Sequence, residues 1–243
     1  MTILSIIIPA YNEEKSINEL LNRVKSVDLS SLNVDKELIV VNDGSKDNTS
    51  ELVEKNHKDV LLLEHPQNLG KGAAIRTGIA KAKGDIILVQ DADLEYDPTE
   101  YFVLLQPILD GEAHVVFGSR YLSTDQKRRN YEFLKKQHAG AYRLFYLGGR
   151  LLTIITNFLY GAGITDEATC YKMFKKEVLK KIKLNCERFE FCPEVTAKTI
   201  KAGYRIKEVP ISYYPRSIKE GKKIKFKDGI QALWTLVKYR LAD

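Results

Sequence analysis

The chain has few cysteines, no long apolar run and no Walker A loop, and each absence removes a class of protein. Its three cysteines, Cys170, Cys186 and Cys192, form no Cys-x-x-Cys pair and are too few for a disulfide framework, so free thiols in a reducing cytoplasm are expected. The most apolar later stretch, Leu144 to Gly163, is broken by Gly148-Gly149 and Arg150. It falls short of the roughly 20 uninterrupted apolar residues of a spanning helix, so no transmembrane helix is expected. Met1 to Pro9 is apolar but has no basic flank and stops at a proline after one strand's length, which does not suit a signal peptide. Internal repeats and low-complexity linkers are also missing, so residues 1–243 are expected to form one domain.

What is present is an ordinary globular composition. The 243 residues, 44% hydrophobic and 29% charged, are enough for a substantial core. The net charge of +6 hides an asymmetry. Residues 1–118 carry 11 basic and 20 acidic residues, a net of −9, whereas residues 119–243 carry 27 and 12, a net of +15. An acidic half suits a divalent cation, and a basic half suits a phosphate, a polyanion or a membrane surface; solvated faces would give the same counts.

Short apolar runs alternate with amphipathic segments through the first half. Runs at 3–8, 38–41, 60–63, 85–89 and 114–117 read as strands, and the segments after 13, 47, 71 and 98 read as helices. The pattern predicts an α/β fold with a mostly parallel sheet covered on both faces, whose ligands bind beyond the carboxyl ends of the strands. In the second half, 127–163 reads as helices rich in aromatic and basic residues. Strands are expected at 170–174 and 204–212 and a helix at 193–201. Lys227 to Leu241 forms a basic amphipathic C-terminal extension with Ile230, Leu233, Trp234, Val237 and Leu241 on one face.

The predicted strand ends carry the polar residues. Asp91 and Asp93 follow Ile86-Ile87-Leu88-Val89 and are separated only by Ala92. Two such carboxylates repel unless a cation lies near, and hard oxygen donors suit Mg²⁺ or Mn²⁺, which could neutralise a diphosphate leaving group. A loop of solvated acids or a helix N-cap before Pro98 is the plain alternative. In Asn68-Leu69-Gly70-Lys71-Gly72, backbone N–H groups at a helix start and the charge of Lys71 could meet a phosphate. A tight turn explains the glycines equally well.

Taken in order, Pro9-Ala10-Tyr11-Asn12-Glu13, Val40-Val41-Asn42-Asp43-Gly44-Ser45, the glycine loop, Asp91-Ala92-Asp93 and Gly118-Ser119-Arg120-Tyr121 make the chain resemble family 2 glycosyltransferases. The likeness is closest to the polyprenyl-phosphate sugar synthases, such as the dolichyl-phosphate mannose and glucose synthases. It reaches Glu208-Val209-Pro210-Ile211 and the basic segment from Arg216 to Lys222. The resemblance implies a GT-A-type fold with a nucleotide-sugar and metal half, 1–118, and an acceptor half, 119–243. It implies that Pro9, Tyr11, Glu13 and Asp43 hold the nucleoside, with Tyr11 flanking the base and Asp43 bonding its edge. Asp91 and Asp93 match the metal and diphosphate ligands, and Glu95 stands where a third ligand is found. Arg120 matches an arginine near sugar and acceptor phosphate, Asp166 an acceptor-loop aspartate, and Arg216 and Lys222 the basic pair of a loop closing over the donor. The chain departs from the pattern at Asn42, usually an aspartate, at Glu220-Gly221-Lys222-Lys223, and at Cys170, usually a small residue.

The resemblance implies inverting transfer of a hexose from a nucleotide-diphosphate sugar. A polyprenyl phosphate acceptor is the expectation, because its second pKa near 6 leaves it an oxyanion that needs positive charge but no base. Arg120, Lys127, Arg128, Arg129 and Arg143 would supply that charge. The rival is a sugar hydroxyl acceptor in polysaccharide or glycan assembly, with Asp166 as base. A sugar nucleotidyltransferase would carry a glycine- and arginine-rich loop where Pro9 to Glu14 stand. A non-catalytic nucleotide-sugar binder is distinguished by absence of turnover. The mixture of Lys/Arg with Tyr131, Phe133, Leu134, Tyr142, Phe145 and Tyr146 suits an anionic membrane surface, so a peripheral protein at the cytoplasmic membrane face is expected. A core-facing helix with a solvated basic face has the same composition. No nucleic-acid partner is expected.

Overall fold

The computed structural model describes residues 1–122, 139–215 and 226–242, with side chains from 146 and from 227 in the latter two segments. The first strand, β1 (Thr2–Ala10), shows why its sequence is apolar throughout. Leu4, Ile6 and Ile8 enter one core, while Ile7 enters a second core on the opposite face. Successive strand side chains point to opposite faces, so a strand covered on both sides reads as an unbroken apolar run. The same division holds in β2 (Val34–Asn42), where Leu38 and Val40 face one core and Ile39 and Val41 the other.

Between these strands lies α1 (Ile17–Ser26), whose Ile17, Leu20, Leu21 and Val24 are fully buried at helical spacing. The chain continues through α2 (Thr49–Asn56), β3 (Leu61–Glu64), α3 (Lys71–Lys81), β4 (Ile86–Val89), α4 (Tyr101–Leu109) and β5 (Val115–Ser119). After the second described segment begins come α5 (Ala139–Tyr160), β6 (Lys172–Lys175), α6 (Lys176–Lys181), α7 (Phe191–Lys201) and β7 (Ile206–Pro210), and the last segment is α8 (Phe226–Leu241). One seven-stranded sheet with the order β3-β2-β1-β4-β6-β5-β7 joins both halves of the sequence.

All pairings are parallel except those of β6, which lies antiparallel between β4 and β5. The strand expected at 170–174 is thus present, but its direction could not be read from a short apolar run. β1 is flanked by β2 on one side and β4 on the other, so the chain reverses its direction of travel across the sheet at β1 and β4. Such a switch point opens a crevice at the strand carboxyl ends. Pro9 and Ala10 end the first of these strands and lead into Tyr11 to Glu13, and Asp91 to Asp93 come one residue after the second.

The helices α5 and α8 pack together through a separate small core of Leu152, Ala232 and Leu236, joined by Ile155, Leu159 and Leu233. Tyr160 Oη donates to the Leu236 carbonyl across this seam at 2.6 Å. Each helix leaves an apolar stripe in solvent. Leu147, Leu151, Ile154 and Phe158 are exposed on α5, and Ile230, Trp234, Val237 and Leu241 on α8, Phe158 and Trp234 being 87% and 64% accessible. Leu233, grouped by periodicity with the exposed stripe, instead joins the seam. Among the described residues no helix is long and apolar enough to cross a membrane.

Candidate active site

The first two loops at the switch point are stapled to each other. Asn12 takes a left-handed conformation with φ 51°. From there its N–H donates to Ser45 Oγ at 2.9 Å, and its Oδ1 accepts from Lys46 N at 2.8 Å. Glu13 is buried, its N–H donating to Thr49 Oγ1 at 2.9 Å and its carboxylate accepting from Ser16 Oγ at 2.7 Å. Pro9 pairs in register with Val41 near the end of β1. These contacts hold Tyr11 at the wall of a cleft of about 730 Å³ that is also lined by Asn42, Ser45, Glu64, His65 and Asn68.

Asp43 sits beneath that cleft and is absent from its lining. Its carboxylate accepts from His65 Nδ1 at 2.7 Å, Asn68 Nδ2 at 2.9 Å, Leu69 N at 2.9 Å and Gly70 N at 2.8 Å. The carboxylate therefore shapes the 65–70 loop, and Asn42 is the strand residue that faces the cleft. The glycines of this loop answer to packing. A Cβ on Gly70, whose φ is +101°, would lie 2.3 Å from the Glu187 carbonyl oxygen, and one on Gly72 would lie 2.9 Å from that of Arg188.

At the end of β4 the Asp-Ala-Asp spacing has a direct structural reason. Ala92 is buried in the core while Asp91 and Asp93 on either side are half-buried. Asp91 Oδ1 is 2.5 Å from Lys71 Nζ, which is also 3.0 Å from Cys170 Sγ. Burial works against the Lys71 ammonium, but Asp91 and the neighbouring thiols hold its pKa well above the ordinary value. Asp93 Oδ1 accepts from Glu95 N at 3.2 Å across Leu94, which is left-handed with φ 62°. Glu95 is buried and its carboxylate accepts from Tyr213 Oη at 2.6 Å.

Among the described residues no three His, Cys, Asp or Glu side chains are gathered to hold a metal, so Asp91, Asp93 and Glu95 do not form a closed cage. Two carboxylates still fit Mg²⁺ or Mn²⁺, since Mg²⁺ is usually held by one or two carboxylates with waters and substrate phosphates. Behind the loop, the fully buried Gln90 accepts from Tyr101 Oη and Tyr171 Oη, both at 2.7 Å, and Tyr96 stacks on Tyr171 with ring centroids 4.6 Å apart. This polar and aromatic rack carries no motif of its own, so sequence reasoning passed over it.

A second polar cluster is built at the end of β5. Arg120 forks onto Asp166 through Nε at 2.7 Å and Nη2 at 2.8 Å, and its backbone N–H adds a third bond at 3.1 Å. Asp166 is 1% exposed. Burial alone would lower the Arg120 pKa, but the Asp166 carboxylate holds it well above the ordinary value. Glu208 on β7 fixes the Asp166 loop by accepting from Asp166 N at 3.0 Å and from Thr165 N and Oγ1 at 2.6 and 2.8 Å. Arg120 also lies 4.8 Å from the Tyr213 ring centroid, and Arg150 lies 4.9 Å from that of Tyr121. Arg216 and Lys222, with Lys127, Arg128, Arg129, Tyr131, Phe133 and Leu134, fall outside the described residues, as do the side chains of Tyr142, Arg143 and Phe145.

The sequence model described as glycosyl transferase family 2 matches residues 5–183. The chain belongs to this family. As a family 2 glycosyltransferase it is 31% identical over 248 residues to a dolichyl-phosphate beta-glucosyltransferase of Trichomonas vaginalis, covering 97% of this chain and 72% of the relative. It is 32% identical over 229 residues to a UDP-N-acetylglucosamine–dolichyl-phosphate N-acetylglucosaminyltransferase of Methanococcus voltae, covering 86% and 84%. Its fold is GT-A. Glucosyl-3-phosphoglycerate synthase of Mycobacterium tuberculosis, solved with Mn²⁺, uridine diphosphate and phosphoglyceric acid, superposes with a TM-score of 0.70 at 20% identity, covering 98% of this chain and 78% of the other. The same enzyme has been solved with Mg²⁺ and uridine diphosphate. At that identity the likeness is one of fold.

Proposed function

We propose that the chain is an inverting hexosyltransferase that moves a sugar from a nucleotide-diphosphate donor to a polyprenyl phosphate at the cytoplasmic face of a membrane. The observation that carries this reading is the fork between Arg120 and Asp166. Both Asp166 oxygens are already bound by Arg120, so this carboxylate is poorly placed to take a proton from a hydroxyl acceptor. Arg120 Nη1 makes no hydrogen bond among the described residues and can meet an acceptor phosphate oxygen. A phosphate monoester is already an oxyanion at neutral pH and needs a cation more than a base. Relatives that act on dolichyl phosphate support the same acceptor class.

On the donor side Asp91 and Asp93 would hold Mg²⁺ or Mn²⁺, which supplies charge neutralisation for the departing diphosphate. Lys71 adds a fixed positive charge beside Asp91, and Tyr11 offers a ring face to the base. Arg216 and Lys222 are proposed as donor-diphosphate contacts on their match to the family pattern. The exposed stripes of α5 and α8, in a half of the chain with net charge +15, support an anionic bilayer as the partner surface.

The acceptor is tested by supplying one nucleotide sugar with Mn²⁺ and three acceptors: a polyprenyl phosphate, the corresponding polyprenol, and a free oligosaccharide. Transfer to the phosphate alone is expected. Transfer to the oligosaccharide with none to the phosphate would overturn the proposal in favour of a hydroxyl acceptor.

A further inference from the structure

We propose that Cys170 and Cys192 form an oxidation site, a dithiol that hydrogen peroxide closes to a disulfide, and that closure weakens the donor site through Lys71. The effect on the donor rests on the donor-site reading above; the disulfide itself does not.

Cys170 stands just before β6 and Cys192 lies in the first turn of α7, and the fold brings the two thiols together. Their sulfurs share a hydrogen bond. Cys192 Sγ lies 3.4 Å from the carbonyl oxygen of Thr169, the residue next to Cys170, and Cys170 Sγ lies 3.0 Å from Lys71 Nζ. Lys71 in turn is 2.5 Å from Asp91 Oδ1. The chain Cys192, Cys170, Lys71, Asp91 therefore runs from α7 to the acidic loop after β4.

The third cysteine shows what a packing thiol looks like. Cys186 is buried in the second core, and burial pushes its thiol up. Cys170 and Cys192 are only half-buried. At Cys192 the hydrogen bond from Cys170, with the ammoniums of Lys172 and Lys71, outweighs burial and pulls the thiol down to about 6. A thiolate beside cations, with a second thiol against it, is the arrangement that oxidants attack.

The Cys192 thiolate attacks one oxygen of hydrogen peroxide and the O–O bond breaks. Hydroxide leaves and takes back from solvent the proton that Cys192 gave up. The Cys170 sulfur then displaces the oxygen of the sulfenic acid, which departs as water with the Cys170 proton. Two thiols and one peroxide give one disulfide and two waters, each sulfur losing one electron to the peroxide oxygens. A disulfide holds its sulfurs about 2.0 Å apart. Closure thus draws the Cys170 sulfur toward Cys192, and Lys71 loses a partner that fixes it beside Asp91.

The test treats the full chain with hydrogen peroxide, removes the oxidant, unfolds it in a thiol-blocking reagent and maps the peptides by mass spectrometry without reductant. A peptide pair linked through Cys170 and Cys192 is expected, with Cys186 recovered as a blocked thiol. In parallel, calorimetry measures UDP and GDP binding with Mn²⁺ before and after oxidation. Oxidation is expected to weaken the tighter diphosphate about tenfold, the size of one lost bond to a charged group, and dithiothreitol to restore it. Cys192→Ser, with its fold verified by melting temperature, should bind as the reduced wild type does and ignore peroxide. Absence of the linked peptide overturns the proposal, as does a linked chain with unchanged affinity or an equal loss in Cys192→Ser. A reduced wild type that binds neither diphosphate overturns the donor-site reading, and the peptide map still decides the oxidation site.

Discussion

If Asp166 acts through Arg120, then removing Arg120 should make the identity of residue 166 irrelevant to transfer. The two side chains are 14% and 1% exposed and joined by two guanidinium bonds. Asp166→Asn keeps one acceptor oxygen and loses one charge-assisted bond, a change of about 1.5–3 kcal/mol for a hydrogen bond to a charged group. If that energy is spent on orienting Arg120, the rate falls about 10- to 100-fold. Arg120→Ala should be worse, since the cation itself is gone. The double variant Arg120→Ala/Asp166→Asn should then be no slower than Arg120→Ala, and the two losses should not add. Single-turnover transfer to polyprenyl phosphate at saturating donor measures this, with circular dichroism to verify folding. The rate of Asp166→Asn should keep the rise through about pH 6 that belongs to the acceptor phosphate. A double variant a further hundredfold slower than Arg120→Ala would refute the argument and restore Asp166 as the base.

Three other outcomes follow from separate parts of the molecule. Phe158→Asp combined with Trp234→Asp should abolish sedimentation with anionic vesicles while sparing transfer to a short-chain soluble acceptor, because each exposed aromatic inserted into lipid is worth about 1.5–3 kcal/mol. Unchanged sedimentation would remove the stripes from the membrane contact. Asp43→Ala strands the donors of the 65–70 loop and should cost about 2–4 kcal/mol in urea unfolding; a loss within experimental error would show that the loop is held by something else. Glu167 is fully buried, and burial raises its pKa to about 8. The folded chain thus keeps a proton that the unfolded chain releases, so stability is full at low pH and falls as pH climbs toward about 8. Glu167→Gln, which preserves an acceptor for Thr196, should flatten that decline between about pH 5 and 8 in urea melts at fixed ionic strength.

Much of the fold could be read because strands buried on both faces have no polar positions. The runs at 3–8 and 38–41 fall inside β1 and β2, the run at 85–89 starts one residue before β4 and ends with it, and the helical stretch from 71 opens where α3 opens. What could not be read is strand direction. β6 is a four-residue strand between two cores, and nothing in Lys172 to Lys175 marks it as antiparallel. The stripe on α8 shows a second limit. Periodicity separates an apolar face from a polar one, but Leu233 and Trp234, about 100° apart on the wheel, both fall on a broad apolar arc, and the α5 seam decides that one turns inward and the other outward.

The site was legible as a set of loops and less so as a set of atoms, and Asn42-Asp43 shows the physical reason. Adjacent residues at the end of a strand point to opposite faces, so at most one of the two can enter the cleft. Charge favours Asp43, since a carboxylate is the stronger partner for a base N–H. Register favours Asn42, because it is Asn42 that pairs with Glu64 across β2 and β3. The contacts on Asp43 explain why its charge is needed on the other face: two consecutive backbone N–H groups, at Leu69 and Gly70, have no secondary structure to satisfy them in a loop that must turn into α3. A carboxylate with two oxygens satisfies both at once, which an asparagine could not. The aspartate thus holds the loop at the floor of the cleft, while Asn42 and Glu64, 22 positions apart in the chain, meet at its wall.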